Sequence, residues 1–189
     1  ELVREVLRPT LFVPMTGEAE DQREQQPDGS DPQVVNGDFS VTPVDEQTGN
    51  IDFVPGWYYG RQVRQICPGD DSRSAGRNNF VRFSNETPGL SSHLLQGIPI
   101  DGQQVSMIRL SGNVRTENVR RGPNPDAMPF IAISFYDDQR QELGTYQIGP
   151  FRKTRPWRAV SKLIRVPASS HESILRIGLF GATGTADFN

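Results

Sequence analysis

The chain has 189 residues, 34% of them hydrophobic and 23% charged, which suits a single domain with one core. No stretch approaches the roughly 20 consecutive apolar residues of a membrane-spanning helix, and a net charge of −3 argues against a dedicated nucleic-acid binder. The single cysteine, Cys67, excludes an internal disulfide and a zinc site of clustered thiolates. The 18 glycines and 15 prolines favour short β-strands over a helical bundle.

Residues 1–33 are predicted to be an N-terminal stub followed by an acidic linker. The first eight residues suit a turn or two of helix, and residues 11–13 suit a short strand. Residues 17–33 contain six acidic side chains, one basic side chain and no aromatic or β-branched residue, so we expect them to be solvated. The chain begins with Glu1 and ends at Asn189 in a strand-like run, which indicates a fragment of a longer protein.

Residues 34–189 contain the alternation of apolar and polar side chains that is typical of strands. The clearest runs are 106–115 and 130–136, and shorter ones occur at 81–83, 93–100, 142–148, 160–166 and 175–180. Seven or more strands separated by Gly, Pro and Asp turns predict an all-β sandwich of two antiparallel sheets. The predicted core-facing residues are Ile108, Leu110, Ile131, Ile133, Phe135, Ile164 and Val166.

No pattern of residues indicates catalysis. His93 and His171 lie far apart and are predicted to be solvated, and no Gly-x-Ser-x-Gly elbow is present. The adjacent carboxylates at 70–71 and 137–138 suit turns, since glycosidase carboxylates must face each other across a cleft. The glycines between 178 and 184 precede a strand rather than the helix that a phosphate loop requires.

Several segments, taken together and in order, resemble carbohydrate-binding modules of the family 4/9/22 type. These are Asn-Gly-Asp-Phe at 36–39 with Pro-Gly-Trp at 55–57, the strand and acidic turn at 133–138, Trp157 with Ile-Arg-Val-Pro at 164–167, and the final strand at 184–189. The resemblance covers about 150 residues. It implies a galactose-binding-like jelly roll, of the kind usually attached to secreted polysaccharide-degrading enzymes. It also implies that Trp57 and Trp157 pack the core.

The same resemblance implies a structural calcium ion. Asn36, Asp38 and Asp187, or Asn189 in place of Asp187, stand where members of this family supply part of the ligand set, with backbone carbonyls providing the remainder. A glutamate that many relatives carry after the first motif is replaced here by Ser40. The alternative is that these polar residues simply form turns.

The candidate sugar-binding residues are those predicted to point outward from the strands. Aromatic rings stack on the C–H faces of sugars, and planar polar groups donate paired hydrogen bonds to hydroxyls. If the middle strands are neighbours, their outward side chains form one surface that mixes aromatic and arginine residues. The residues predicted for it are Tyr136, Arg82, Arg109 and Asn113, with Tyr58 or Tyr59, whichever points outward, and Tyr146 as secondary candidates.

The sequence therefore predicts a noncatalytic carbohydrate-binding module of a larger protein that is secreted, periplasmic or at the cell surface. Its expected partner is a polysaccharide or glycan, without nucleic acid and without membrane insertion. The alternative is a structural or protein-interaction β-sandwich of a cell-surface protein that has no sugar site. A sugar site should place at least two aromatic rings on one surface facing solvent, whereas an interaction domain should present a flat apolar patch.

Overall fold

The structure is a computed structural model, and it describes residues 12–15, 32–41, 54–67 and 79–189. These residues form ten strands and no helix, so none of the described chain is a helix long and apolar enough to cross a membrane. The strands are β1 (Phe12–Met15), β2 (Val63–Ile66), β3 (Phe80–Asn85), β4 (His93–Pro99), β5 (Met107–Arg120), β6 (Phe130–Tyr136), β7 (Glu142–Ile148), β8 (Lys153–Arg165), β9 (Glu172–Gly178) and β10 (Thr183–Phe188).

The strands form two antiparallel sheets packed face to face, which confirms the predicted all-β jelly-roll sandwich. Sheet A contains β8, β5, β10, β3 and β2 in that spatial order, together with β1. Sheet B has the order β4-β9-β6-β7. Alternate side chains of both sheets meet in one core, because side chains in a strand point to opposite faces in turn.

Strands β1 and β10 share one edge of β5. Met107 pairs with Met15 of β1 and Val114 pairs with Phe188 of β10, while both of these β5 residues also pair with β8 on the opposite edge. The sheet therefore includes residues 12–15, which the sequence assigned to the N-terminal stub. The acidic residues 17–31 and the predicted helical turns at 1–8 lie outside the described residues.

The predicted core is confirmed. Ile108, Leu110, Ile131, Ile133 and Phe135 are fully buried, and Ile164 and Val166 are nearly so. The sequence did not predict β2. It began β8 seven residues late, ended β5 five residues early, and placed β9 two to three residues too far along the chain. β2 was missed because its four residues include Arg64 and Gln65, of which Gln65 is buried and donates to the Phe39 and Val41 carbonyls.

The two tryptophans differ in position. Trp57 packs in the core as predicted, with its indole Nε1 donating to the Asn36 carbonyl and its ring against Phe39. For Trp157 the prediction of a core position is wrong. Its ring lies on the outer face of sheet A, edge-on to Phe80 at 5.4 Å between centroids. The guanidinium of Arg115 lies over the Trp157 ring.

Candidate functional site

The structure does not bring the predicted sugar-binding residues onto one surface. Arg82 on β3 and Arg109 and Asn113 on β5 point outward from sheet A, and β10 separates these two strands. Tyr136 on β6 points outward from sheet B, on the opposite side of the sandwich. Residue alternation correctly identified the outward faces, but the strands that carry them are not neighbours. Each outer face is therefore considered separately.

The outer face of sheet A contains an ion cluster centred on Asp187. Its carboxylate is buried, and it accepts hydrogen bonds from Nε and Nη2 of Arg82 at 2.9 and 3.1 Å. On the other side Nε of Arg115 donates to it at 2.7 Å. The two guanidiniums also lie over the ring of Phe80, and Arg115 lies over Trp157. Such charge-assisted bonds fix both arginines in place, so this cluster holds β3, β10 and β5 together.

The other two candidates on sheet A have local partners or are partly covered. The main chain of Asn113 exchanges hydrogen bonds with that of Asn189, and its side-chain amide donates to the Asn189 side chain at 3.3 Å. Arg109 is half-buried, and its Nε is covered without a hydrogen-bond partner among the described residues. None of the described aromatic rings lies beneath the guanidinium of Arg109.

The residues predicted to bind calcium do not fit a shared site. Both oxygens of Asp187 accept hydrogen bonds from arginines. The side-chain oxygen of Asn36 accepts from the Val41 amide, and Oδ1 of Asp38 accepts from the Ser40 amide, as in ordinary turns. The described residues contain no group of three or more His, Cys, Asp or Glu side chains that could hold a metal. Calcium binding stays a prediction of the sequence, and nothing below depends on it.

The outer face of sheet B has a stack of three rings at one end. His93 on β4 and Phe130 on β6 both pair with Gly178 on β9, which has no side chain to separate them. The ring of Phe180 fills that space, 3.9 Å from the Phe130 ring and 5.4 Å from the His93 ring, nearly parallel to both. A Cβ on Gly178, whose φ is +151°, would lie 2.4 Å from the Ser92 carbonyl oxygen, so only glycine fits there.

The expectation that His93 is a solvated surface side chain is wrong. The ring is half-buried, and Nδ1 lies 3.0 Å from Oγ of Ser91. Burial lowers the pKa of His93 below its usual value, and the positive charges of Arg176 and Arg61 lower it further. At neutral pH the imidazole is therefore an uncharged ring, which suits it to stacking.

A polar chain runs across the middle of the same face. Arg176 on β9 pairs with Ala132 on β6, whose short side chain leaves room for the arginine. Nη2 of Arg176 donates to Oγ of Ser134 at 2.8 Å. The Ser134 hydroxyl contacts that of Thr145 on β7, and Thr145 in turn donates to Glu142 at 2.7 Å.

Two tyrosines mark the extent of this face. Tyr58 exchanges backbone hydrogen bonds with Leu95, so it adds a residue to the edge of sheet B beyond β4. Residues paired in this way point to the same side, which places Tyr58 in one row with Leu95 and Arg176. Its side chain is 62% exposed. Tyr136 lies at the opposite end of β6 from Phe130, about 20 Å away at the usual rise of an extended strand.

The remaining tyrosines are less suited to this face. Tyr59 is 67% exposed, with a left-handed backbone at φ +56° that breaks the alternation after Tyr58. Tyr146 is half-buried and packs edge-on against Phe135 of the core, 5.9 Å between centroids, so its ring belongs to the core side of β7.

A cleft of about 770 Å³ lies at the edge of sheet A beside this stack. Its lining includes Arg61, Arg64, Arg82, Leu90 and Ser91. Ser91, which lines the cleft, is hydrogen-bonded to His93 of the ring stack, so the cleft and the stack are adjacent. Arg61 and Arg64 of the cleft are exposed, whereas Arg176 on the face of the ring stack is half-buried.

The sequence analysis missed Arg176, Phe180 and the role of His93. The signal for Arg176 was present, since it is a lone arginine at an outward position of the otherwise apolar run 174–178. Phe180 gave no such signal. It follows the strand and reaches the outer face through a left-handed backbone at φ +51°.

No protein-family model and no curated protein matches the sequence. Among solved structures, the chain is similar to a family 4 carbohydrate-binding module with a TM-score of 0.50 and 16% identity, over 82% of this chain and 95% of that one. The chain has the jelly-roll fold of a carbohydrate-binding module. At this identity the likeness establishes the fold alone.

Two further solved structures are more distant. One is the second family 16 carbohydrate-binding module, with a TM-score of 0.45 and 12% identity over 74% of this chain and 94% of that one. The other is the enzymatically active domain of tailspike protein 4 from bacteriophage CBA120, with a TM-score of 0.48 and 14% identity over 75% of this chain. The match spans 19% of the tailspike chain, but most of either module.

Proposed function

We propose that this chain is a noncatalytic carbohydrate-binding module of a larger secreted protein and that it binds glycan on the outer face of sheet B. The observation that carries the proposal is the placement of aromatic rings and a planar donor on that one face. Phe130 and Phe180 form a half-exposed stack, Tyr58 and Tyr136 lie farther along, and Arg176 lies between them. Separated rings joined by polar groups suit an extended sugar chain better than a flat apolar partner.

The outer face of sheet A supports binding less well. Arg82 and Arg115 both donate to the buried carboxylate of Asp187, so a sugar hydroxyl would have to compete with charge-assisted bonds that are already made. On sheet B, by contrast, the side chain of Gln147 is exposed in the same row as Ala132 and Arg176. Of the residues that the sequence proposed, Tyr58 and Tyr136 therefore remain the candidates for stacking.

Binding of this kind needs no covalent step. The rings of Tyr136 and Phe130 would cover apolar sugar faces, and the guanidinium of Arg176 would donate to oxygens between them. Because the backbone of β6 and β9 is fixed in the sheet, the face is formed before the ligand arrives, which limits the entropy lost on binding. The expected location of the whole protein is secreted, periplasmic or at the cell surface, with further domains attached.

The test is a glycan array with the whole chain, followed by calorimetry against each glycan that binds. Tyr136→Ala and Tyr58→Ala should each weaken binding by roughly tenfold to a hundredfold, or on the order of 1–3 kcal/mol, because each removes one stacking ring. Leu163→Ala is the matched control, since Leu163 is an exposed apolar side chain on sheet A. Thermal melting of each variant shows whether the fold survives.

Each result favours one of the alternatives. An equal loss of glycan affinity in the Leu163 control and the tyrosine variants would show that the site is not on sheet B. Absence of binding to any glycan would favour the protein-interaction domain, since the described residues also expose Val35, Val41 and Leu90.

A further inference from the structure

Among the described residues, the arginine at the centre of the sheet B face has no acidic partner. Arg176 makes one hydrogen bond to this part of the chain, from Nη2 to Ser134, and its Nε is buried without a partner there. None of the described residues forms an ion pair with it. This differs from Arg82 and Arg115, which share the carboxylate of Asp187. A half-buried guanidinium without a counterion is costly, because its charge has lost part of its hydration and gained no partner.

A second arginine lies near the ring stack. Burial lowers the pKa of His93, and the charges of Arg176 and Arg61 lower it further, so both arginines lie near this histidine. The acidic residues on the same face are Glu172 and Glu142. Glu172 lies four residues along β9 from Arg176, about 13 Å away in an extended strand, and Glu142 accepts a hydrogen bond from Thr145. Among the described strand residues of this face, neither the row that contains Arg176 nor the rows on either side of it hold a carboxylate.

We infer that the glycan bound on sheet B carries an anionic substituent, a carboxylate or a sulfate ester, which binds the guanidinium of Arg176. The inference rests on the proposed function and adds the chemical class of the ligand to it. Only one of the N–H donors of Arg176 is used by a described residue, so its outer edge can donate a pair of hydrogen bonds to two oxygens of one anion. The ring stack at Phe180 and Phe130 provides an adjacent apolar surface for the sugar ring that carries the anion.

The experiment compares polymers that differ chiefly in the anionic group. Polygalacturonate is set against its methyl ester for the carboxylate, and κ-carrageenan against its chemically desulfated form for the sulfate. The whole chain should bind at least one anionic member about tenfold more tightly than its neutral counterpart, as a charge-assisted pair of hydrogen bonds predicts. Raising the salt concentration should reduce this preference, because ions screen the charges.

Two variants identify the residue responsible. Arg176→Gln should remove the preference for the anionic polymer, because it should weaken binding of the anionic polymer about tenfold more than binding of the neutral one. Arg155→Gln is the matched control, since it removes the same charge from an exposed position on β8 of sheet A. Arg176→Lys keeps the charge without the planar donor pair, and it should retain only part of the preference. If Arg176→Gln does not fold, Ser134→Ala tests the same position by removing the anchor of the guanidinium.

The outcomes separate the two proposals. Equal affinity for neutral and anionic polymers overturns the inference and leaves the proposed function standing. Equal losses in Arg176→Gln and Arg155→Gln would show a general effect of charge, which also overturns it. Failure to bind any of these polymers or any glycan on the array overturns the proposed function, and the inference with it.

Discussion

Arg82 and Asp187, which are 105 positions apart in the sequence, face each other on neighbouring strands and form a two-point ion pair. Arg115 approaches the same carboxylate from β5, so one buried acid is shared by two guanidiniums. Their side chains are 27% and 17% exposed, while that of Asp187 is 2% exposed. The acid is therefore the member of this cluster whose loss should matter most.

Asp187→Asn should lower the free energy of unfolding by about 2–3 kcal/mol. The amide keeps the shape but removes the negative charge that the two guanidiniums share. Breaking a fully buried ion pair costs about 3–5 kcal/mol. We expect a loss at or below the lower end of that range because both arginines keep some contact with water. Urea unfolding at neutral pH measures the change. Asp138→Asn, in the exposed turn after β6, is the control and should stay within about 0.5 kcal/mol of the parent chain. Equal stability of the two variants would contradict the structural role of the cluster.

The pH dependence of stability should contain a contribution from His93. The fold lowers the pKa of this residue, first through burial and then through Arg176 and Arg61. Between the usual histidine value near 6.5 and the lower value in the fold, the unfolded chain binds more protons than the folded one. Stability is therefore lost as the pH falls through this window, and the loss levels off below the folded pKa.

The measurement is the difference in unfolding free energy between the parent chain and His93→Asn at several pH values from neutral to about 5. Taking the difference cancels most of the titration of carboxylates, which both proteins share. The advantage of the parent chain should shrink as the pH falls. A difference that is constant with pH would show that the fold does not perturb this histidine.

Residues 34–189 should fold without residues 1–33, although less stably than the whole chain. The truncation removes β1 and its backbone hydrogen bonds to residues Met107–Leu110 of β5, but none of the buried side chains of 34–189. The expected loss is on the order of 1–3 kcal/mol, since each net hydrogen bond contributes about 1 kcal/mol. A chain that lacks only residues 1–9 retains β1 and is the matched control. It should unfold at the same urea concentration as the whole chain.

Limited proteolysis of the whole chain tests the same boundary. The acidic composition of residues 17–33 predicts that they are cut first. Initial cleavage within 107–165, with residues 17–33 left intact, would contradict the boundary.

The alternation of side chains predicted which faces of the strands are buried, but not which strands are neighbours. Ile131 and Ile133 needed only the period of two within β6 to be placed in the core. Placing Arg82 near Tyr136, by contrast, required knowledge of strand order. That order depends on pairings such as β3 with β10, which join distant parts of the chain. Local pattern carries little information on such contacts.

The ring stack shows a second reason why the site could not be predicted completely. His93 occupies an outward position, and most outward histidines are solvated. Its environment depends on Phe180, a residue outside any strand, and on the missing side chain of Gly178. The alternation of side chains along a strand indicates neither the position of Phe180 nor the role of Gly178. This part of the face could therefore be recognised only from the three-dimensional structure. Arg176 was the exception, because a single charge in an apolar run is visible in the sequence.

The shared edge of β5 has a consequence for the connectivity of the fold. Strand β10 ends at Phe188, opposite Val114, and β1 starts at Phe12, opposite Leu110, with both strands running in the same direction. They amount to the two halves of a single strand that is interrupted between residues 189 and 12. The gap is about 10 Å along β5, which a linker of a few residues spans. A circularly permuted chain that joins these positions, with new ends in the exposed turn at 138–141, should therefore keep every strand pairing described here.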